Sequence, residues 1–402
     1  MTQADLFSPD GFRPASDHDW DMLEASARQI FRPMAPIDDA RLFAGRLKQI
    51  SDLLDVIYQR GAHAILYGER GLGKTSLANI IGEKILGPLR FMKVLKISCD
   101  QTDTFATIWG KVFFDYRFDG ENASDFIAKN PKPFVIYKLA ETLDKNIRHL
   151  IIIDEFDRSK DEQAKSLTAD TIKYFSNYPL NVTILVVGVG QSISELFGNH
   201  PSIARCSKQV PMQRMSRQEL EQIIDDRLPK ISLTTTPGAK NRMIRYAQGF
   251  PGYMHLLGQL SAMSAIKAKT QQINEAHVDG AVAKVLETSD ESTRRDYHRA
   301  ISSSKPDNKY REVLLACALA QKNDLGQFSA GDLREPYSIV RGKQVDIPYY
   351  AAHLKAFCDA DRGPVLVKTG KAKGFKYHFA NPLLEALVIM VGISDKLIKT
   401  IP

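Results

Sequence analysis

Cysteine is scarce. The four thiols, Cys99, Cys206, Cys317 and Cys358, are scattered through 402 residues with no CxxC spacing and no histidine-rich neighbourhood. That pattern excludes a zinc ribbon or a disulfide framework and suits a reducing, cytoplasmic compartment. Long apolar runs are missing as well: no stretch approaches the roughly 18 residues a membrane span requires. The N-terminal region carries Asp5, Asp10, Asp17, Asp19 and Asp21 where a secretory leader would be basic and then apolar. Repeats, low-complexity tracts and nuclease or protease motifs are absent, so any output of that kind is expected to come from another polypeptide.

What is present is ample core material, with 44% hydrophobic residues, and a net charge of +7. The length predicts two or three compact domains. The charge permits a polyanionic partner without requiring one, because a small excess spread over a large surface makes no strong local field.

The apolar run Ala62-His-Ala-Ile-Leu-Tyr67 leads directly into Gly68-Glu69-Arg70-Gly71-Leu72-Gly73-Lys74-Thr75, followed by Ser76. This is a complete GxxxxGK[ST] loop. A strand feeding a glycine-rich turn that opens a helix aims consecutive backbone N–H groups at a polyphosphate. Lys74 is expected to reach the β- and γ-phosphates, and the Thr75 hydroxyl to bind Mg²⁺. A second buried-strand run, His149-Leu-Ile-Ile-Ile153, ends in Asp154-Glu155-Phe156-Asp157. Asp154 is expected to hold the Mg²⁺ shell, and Glu155 to orient and deprotonate the attacking water.

Strand and helix alternate between and beyond these motifs, with further strands at Val94–Ile97 and Val182–Val187, which predicts an α/β core with a parallel sheet covered on both faces. The pattern divides the chain into a flexible lead with a short helix (1–34), a P-loop core (35–211), an α-helical lid (212–300) and a C-terminal unit (301–402). Ser216-Arg-Gln-Glu219 is a capping box opening the lid, and Thr236-Pro237 and Pro251 start further helices. The segment Asp119 to Pro133 reads as polar and irregular. In the last unit three helices precede two strands joined by Thr369-Gly-Lys-Ala-Lys-Gly374, the order of a winged helix-turn-helix.

Together these features resemble AAA+ ATPases of the origin-recognition type, over residues 38–392. The resemblance implies ATP and Mg²⁺ between core and lid, and a homo-oligomer. Leu42-Phe43-Ala-Gly45-Arg46 is similar to the family's FxGR box, which places Phe43 on the adenine. Gln191 falls on the sensor-1 position, beside the γ-phosphate or the lytic water. Arg205 falls where the family carries the arginine finger that completes a neighbour's site.

One departure shifts the reading. Gly249-Phe-Pro251-Gly252 puts glycine where the initiators carry a lid arginine, and Pro251 instead resembles the Gly-x-Pro element of the signal-transducing STAND ATPases, where the proline sits at the nucleotide. The helix after Ile347 offers Tyr349, Ala352, His353 and Ala356 outward, without the Arg or Asn that reads base edges. Lys368, Lys371, Lys373 and Lys376 on the two strands and their tip suit phosphate contacts. Two classes of function stay open: a switch that loads onto duplex DNA, as in replication or transposition, and a signalling or defence ATPase whose winged helix binds a partner protein.

Overall fold

The structure is a computed structural model that describes residues 12–33, 35, 43–190, 192–198, 200, 203–288, 291–303, 308–323, 325–370 and 374–398. Two compact units divide it, one spanning Pro36–Gln213 and the other combining Met1–Ala35 with Arg214–Pro402.

The first unit is built on five parallel strands, β1 (His63–Gly68), β2 (Met92–Ser98), β3 (Arg148–Asp154), β4 (Val182–Val189) and β5 (Ser207–Met212), in the spatial order β2-β3-β4-β1-β5. The apolar run of β3 is continuous because both faces are covered. Ile151 and Ile153 join Trp109, Ile136, Ile172 and Phe175 in one cluster, supplied by helices Phe105–Val112, Pro133–Glu141 and Glu162–Asn177. Ile152 meets the opposite layer, where a Cβ on Gly82 would come within 2.9 Å of it. The C-terminal ends of β1, β3 and β4 lie side by side, which is the edge of a parallel sheet where ligands bind.

Two elements of this unit departed from expectation. β5 was not anticipated, because Ser207, Lys208, Gln209 and Pro211 break any apolar alternation. Among the described residues it is an edge strand paired with β1, the position in a sheet where proline is tolerated. The stretch from Asp119 to Pro133 contains a helix, Ala123–Lys129, anchored by buried Ala123 and Ile127. Its burial rests on two residues, too few to give a helical period.

The second unit begins with helix Asp17–Ile30, where a short helix was expected after the N-terminal lead. A capping box between Ser16 and Asp19 starts it, and its end is seated on helix Pro251–Lys267: Gln259 Nε2 donates to the Phe31 carbonyl at 2.9 Å, and Gly258 leaves room for the Phe31 ring. Fully buried Arg227 donates from Nε to the Ile30 carbonyl at 3.1 Å, satisfying an otherwise orphaned helix end. Helices Arg217–Asp225, Pro237–Ala247, Glu275–Thr288 and Glu291–Ile301 complete this part, with Ser216 and Thr236 as N-caps.

Helices Tyr310–Leu319, Arg334–Arg341 and Ala351–Ala356 follow, then an antiparallel pair, β6 (Leu366–Thr369) and β7 (Lys376–Phe379), and the apolar helix Leu383–Ser394. The stretches before and after residue 301 belong to one compact unit. Arg362 donates to the carbonyls of Ala300 and Ser302 at 2.7 and 2.8 Å and stacks 3.5 Å above the Tyr310 ring, while Arg299 donates to the Ala360 carbonyl at 3.1 Å. Side chains thus join what composition alone separates.

Each unit buries a histidine as a neutral acceptor. His63 Nδ1 accepts from the Ile184 N–H at 3.1 Å, and His255 Nδ1 from the Arg32 N–H at 3.4 Å. Burial presses His63 down to about 4 and His255 well below the ordinary value of 6.5. A base with a depressed folded pKa contributes stability that is whole above the unfolded pKa and is lost as pH falls toward the folded one. Each histidine should therefore cost about 1.4 kcal/mol of unfolding free energy per pH unit below 6.5. Urea titrations between pH 7.5 and pH 5 should show this slope, reduced by about one proton in His63→Asn.

Candidate nucleotide site

β1 delivers the chain to Gly68, whose φ of +154° and close neighbour leave no space for a side chain: a Cβ there would lie 2.4 Å from the Met212 carbonyl oxygen. Gly71 and Gly73 then take φ values of +87° and +85°, a left-handed conformation that glycine adopts at no steric cost. The loop closes on Lys74, the first residue of helix Lys74–Asn79.

The Lys74 side chain folds back over this turn. Its Nζ donates to the carbonyls of Gly68 at 3.0 Å and Glu69 at 2.8 Å. Burial presses the ammonium down to about 8, against the pull of Asp157, then Asp154 and Glu69. Phosphate oxygens are stronger acceptors for the same cation than neutral carbonyls.

Arg46 braces the loop from below. It is buried, sits at φ +64°, and donates from Nη2 to the Leu72 carbonyl at 3.3 Å. Phe43, three residues earlier, is half-buried.

β3 brings the acidic pair to the same edge. Thr75 Oγ1 donates to Asp154 Oδ1 at 3.3 Å, and Lys96 Nζ lies 3.8 Å from Asp154 Oδ2 while also bonding Asn79. Burial lifts the Asp154 carboxyl above its ordinary range, opposed by the Glu155 N–H, Lys96 and Thr75. A hydroxyl and a carboxylate facing one another are hard oxygen donors, and they fit Mg²⁺, which takes one or two protein ligands and fills its shell with phosphate and water. Glu155 adopts φ +53°, half exposed, with its Oε2 receiving Ser98 Oγ at 3.1 Å and Arg158 Nη1 at 2.9 Å. Asp157 Oδ1 accepts from the Val189 N–H at 2.7 Å, tying the acidic turn to the end of β4.

Lys74, Thr75, Asp154 and Glu155 therefore converge as their spacing suggested, and Gly190 N–H reaches back to the Gly68 carbonyl at 3.3 Å. Gln191, the next residue, lies outside the described residues, as do Lys371 and Lys373. Arg205 is exposed at the end of the short helix Ile203–Cys206, which Ser176 fixes through the Cys206 carbonyl at 3.1 Å. Among the described residues nothing bonds its guanidinium. Pro251 opens its helix in the other compact unit. Lys368 and Lys376 are exposed on β6 and β7, Lys368 with its ammonium 3.4 Å above the Phe375 ring. Sequence reasoning assigned no role to Arg46, Lys96 or Asp157. Only the Gly45-Arg46 step before a helix and the third acid of the turn hinted at them.

This geometry defines a P-loop NTPase. The chain belongs to the novel STAND NTPase 1 family, whose model matches residues 35–301. A Walker-type ATPase of Pyrococcus abyssi is similar at a TM-score of 0.52, with 14% identity over 89% of this chain and 99% of that one. Cdc6p of Pyrobaculum aerophilum gives 0.49 at 15% identity, over 92% and 98%. The ORC1 protein of Aeropyrum pernix, in complex with DNA, gives 0.48 at 14% identity, over 92% and 97%. At such identities the likeness concerns the fold alone. No curated protein matches the chain.

Lys74→Ala removes the side-chain cation that the loop encloses. Calorimetric titration should show ATP affinity reduced about tenfold to a hundredfold or more, the worth of charge-assisted hydrogen bonds. The fold should persist, because the lost bonds are side-chain bonds within the loop and none belongs to the ladder of the sheet.

Proposed function

We propose that this chain is an ATP- and Mg²⁺-dependent molecular switch that assembles with copies of itself and passes its nucleotide state to a partner protein through its C-terminal residues. The observation that carries the reading is the convergence of Lys74, Thr75 and Asp154 at the C-terminal edge of the sheet, with Glu155 next to them. In the ATP complex Lys74 exchanges its carbonyl partners for β- and γ-phosphate oxygens, and the N–H groups of residues 69–76 line the polyphosphate. Thr75 and Asp154 hold the metal, which when bound neutralises phosphate charge. Glu155 leaves Arg158 and Ser98 to take a proton from water, and Phe43 packs on the base. Gln191 is assigned to the γ-phosphate side of the site, and Pro251 to nucleotide sensing.

Arg205, exposed and without a bond from its guanidinium among the described residues, is assigned to the site of a neighbouring copy, which makes turnover depend on assembly. The C-terminal helices and β6–β7 hairpin are read as a winged helix whose output surface is apolar more than basic. Tyr349 is 67% exposed, and Ala351 and Ala352 beside it are exposed too. A protein partner suits that face. Duplex DNA is the second reading, favoured by exposed Lys368 and Lys376, which suit phosphate contacts.

Glu155→Gln should keep ATP affinity and lower turnover by about 10² to 10⁴, the contribution of a general base. Arg205→Ala should lower it by about 10³ or more while monomers still bind ATP. A mixture of the two variants should regain activity, because one kind of interface then joins an intact finger to an intact base. Specific activity that is independent of protein concentration, with Arg205→Ala as active as wild type, would remove the assembly claim. Salt-dependent binding of wild type to duplex DNA, weakened in Lys368→Ala with Lys376→Ala, would establish the second reading instead.

A further inference from the structure

The chain leaves β5 at Met212, and β5 flanks the P-loop so closely that the Met212 carbonyl excludes a side chain at Gly68. Two residues later, at Arg214, the chain passes back into the second unit. Its guanidinium forms a two-pronged bond with Glu385, from Nη1 to Oε1 at 2.8 Å and from Nη2 to Oε2 at 2.9 Å, and lies 4.6 Å over the Phe250 ring. The same carboxylate receives Lys322 Nζ at 3.1 Å.

The three side chains are largely removed from water, Glu385 at 1% exposure, Lys322 at 10% and Arg214 at 20%. Lys322 also donates to the Ala318 and Ala320 carbonyls at 2.7 and 3.0 Å, at the end of helix Tyr310–Leu319. Tyr253, in the first turn of helix Pro251–Lys267, donates to the Leu383 carbonyl at 2.9 Å. The triad thus joins four segments of the second unit: the residue at which the chain enters it from β5, the turn before Pro251, the end of helix Tyr310–Leu319 and the start of helix Leu383–Ser394.

Buried ions of this kind are a poor source of net stability, because desolvation offsets their attraction, and their best-attested use is to fix one arrangement against another. We infer that Arg214, Glu385 and Lys322 form a latch that delivers movement of β5 to helix Leu383–Ser394. Without it, such movement would be absorbed in the connecting chain. The inference rests on the switch reading above, and adds the route by which nucleotide state leaves the core. An apolar trio would fill the same space but would fix no direction, whereas a carboxylate gripped at both oxygens moves with the guanidinium.

Hydrogen exchange on the full chain, with and without a slowly hydrolysed ATP analogue, tests it. In wild type the analogue should change exchange in β5 and in helix Leu383–Ser394 together. Glu385→Gln should bind the analogue with unchanged affinity and keep the β5 response, but lose the response of the C-terminal helix. Because Glu385→Gln leaves two cations facing a neutral amide and risks unfolding, Glu385→Asp serves as the second variant. It keeps the charge, but its shorter arm cannot span both cations, so the C-terminal response should be reduced. An undiminished response of helix Leu383–Ser394 in either folded variant overturns the latch and leaves the switch standing. If wild type binds the analogue and neither segment responds, the switch and the latch fall together.

Discussion

An ammonium held inside a turn of backbone carbonyls is the interaction on which the nucleotide site depends. Lys74 is buried, and a buried cation requires acceptors. It finds them at Gly68 and Glu69 only because the loop turns back on itself. That turn requires left-handed backbone at Gly71 and Gly73 and bare backbone at Gly68 against Met212. The strand order requires it as well, since β1 stands between β4 and β5 and both neighbours contribute to the site's walls. A polyphosphate entering here would replace neutral acceptors with charged ones, which are the stronger partners for the same cation.

The acidic side of the site is balanced in the same way. Asp154 is buried, and Thr75 and Lys96 keep company with it; Glu155, on the same turn, is half exposed and paired with Arg158 and Ser98. One carboxylate is shielded and placed where a metal suits it, while the other is near water and free to exchange partners. Their environments differ, although they are adjacent in sequence. In the second unit the burial of charge recurs as Arg227 on the Ile30 carbonyl and as the Arg214, Glu385 and Lys322 triad, which tie distant stretches of chain into one body.

The P-loop, the acidic turn and the three inner strands were legible in sequence, because glycine spacing and unbroken apolar runs are local signals. So were the caps at Ser216 and Thr236, which need only a few adjacent residues. β5 was not legible: an edge strand with one partner tolerates the polar residues and the proline that disguise it. The N-terminal helix carried a capping box, but its place depends on Gln259 and Arg227, more than 190 residues away. Arg46, Lys96 and Asp157 belong to the site through long-range contacts that no single motif contains. The contacts across residue 301 were hidden for a related reason, since Arg299 and Arg362 bond carbonyls some sixty residues away.

The central claim is that Lys74 awaits a β-phosphate, and comparing ATP, ADP and AMP as ligands in one equilibrium titration tests it most directly. ATP and ADP both supply oxygens to replace the Gly68 and Glu69 carbonyls, whereas AMP does not. The account predicts that AMP binds about tenfold to a hundredfold more weakly than ADP, the worth of the charge-assisted bonds it cannot make. Equal affinity for all three nucleotides would contradict it.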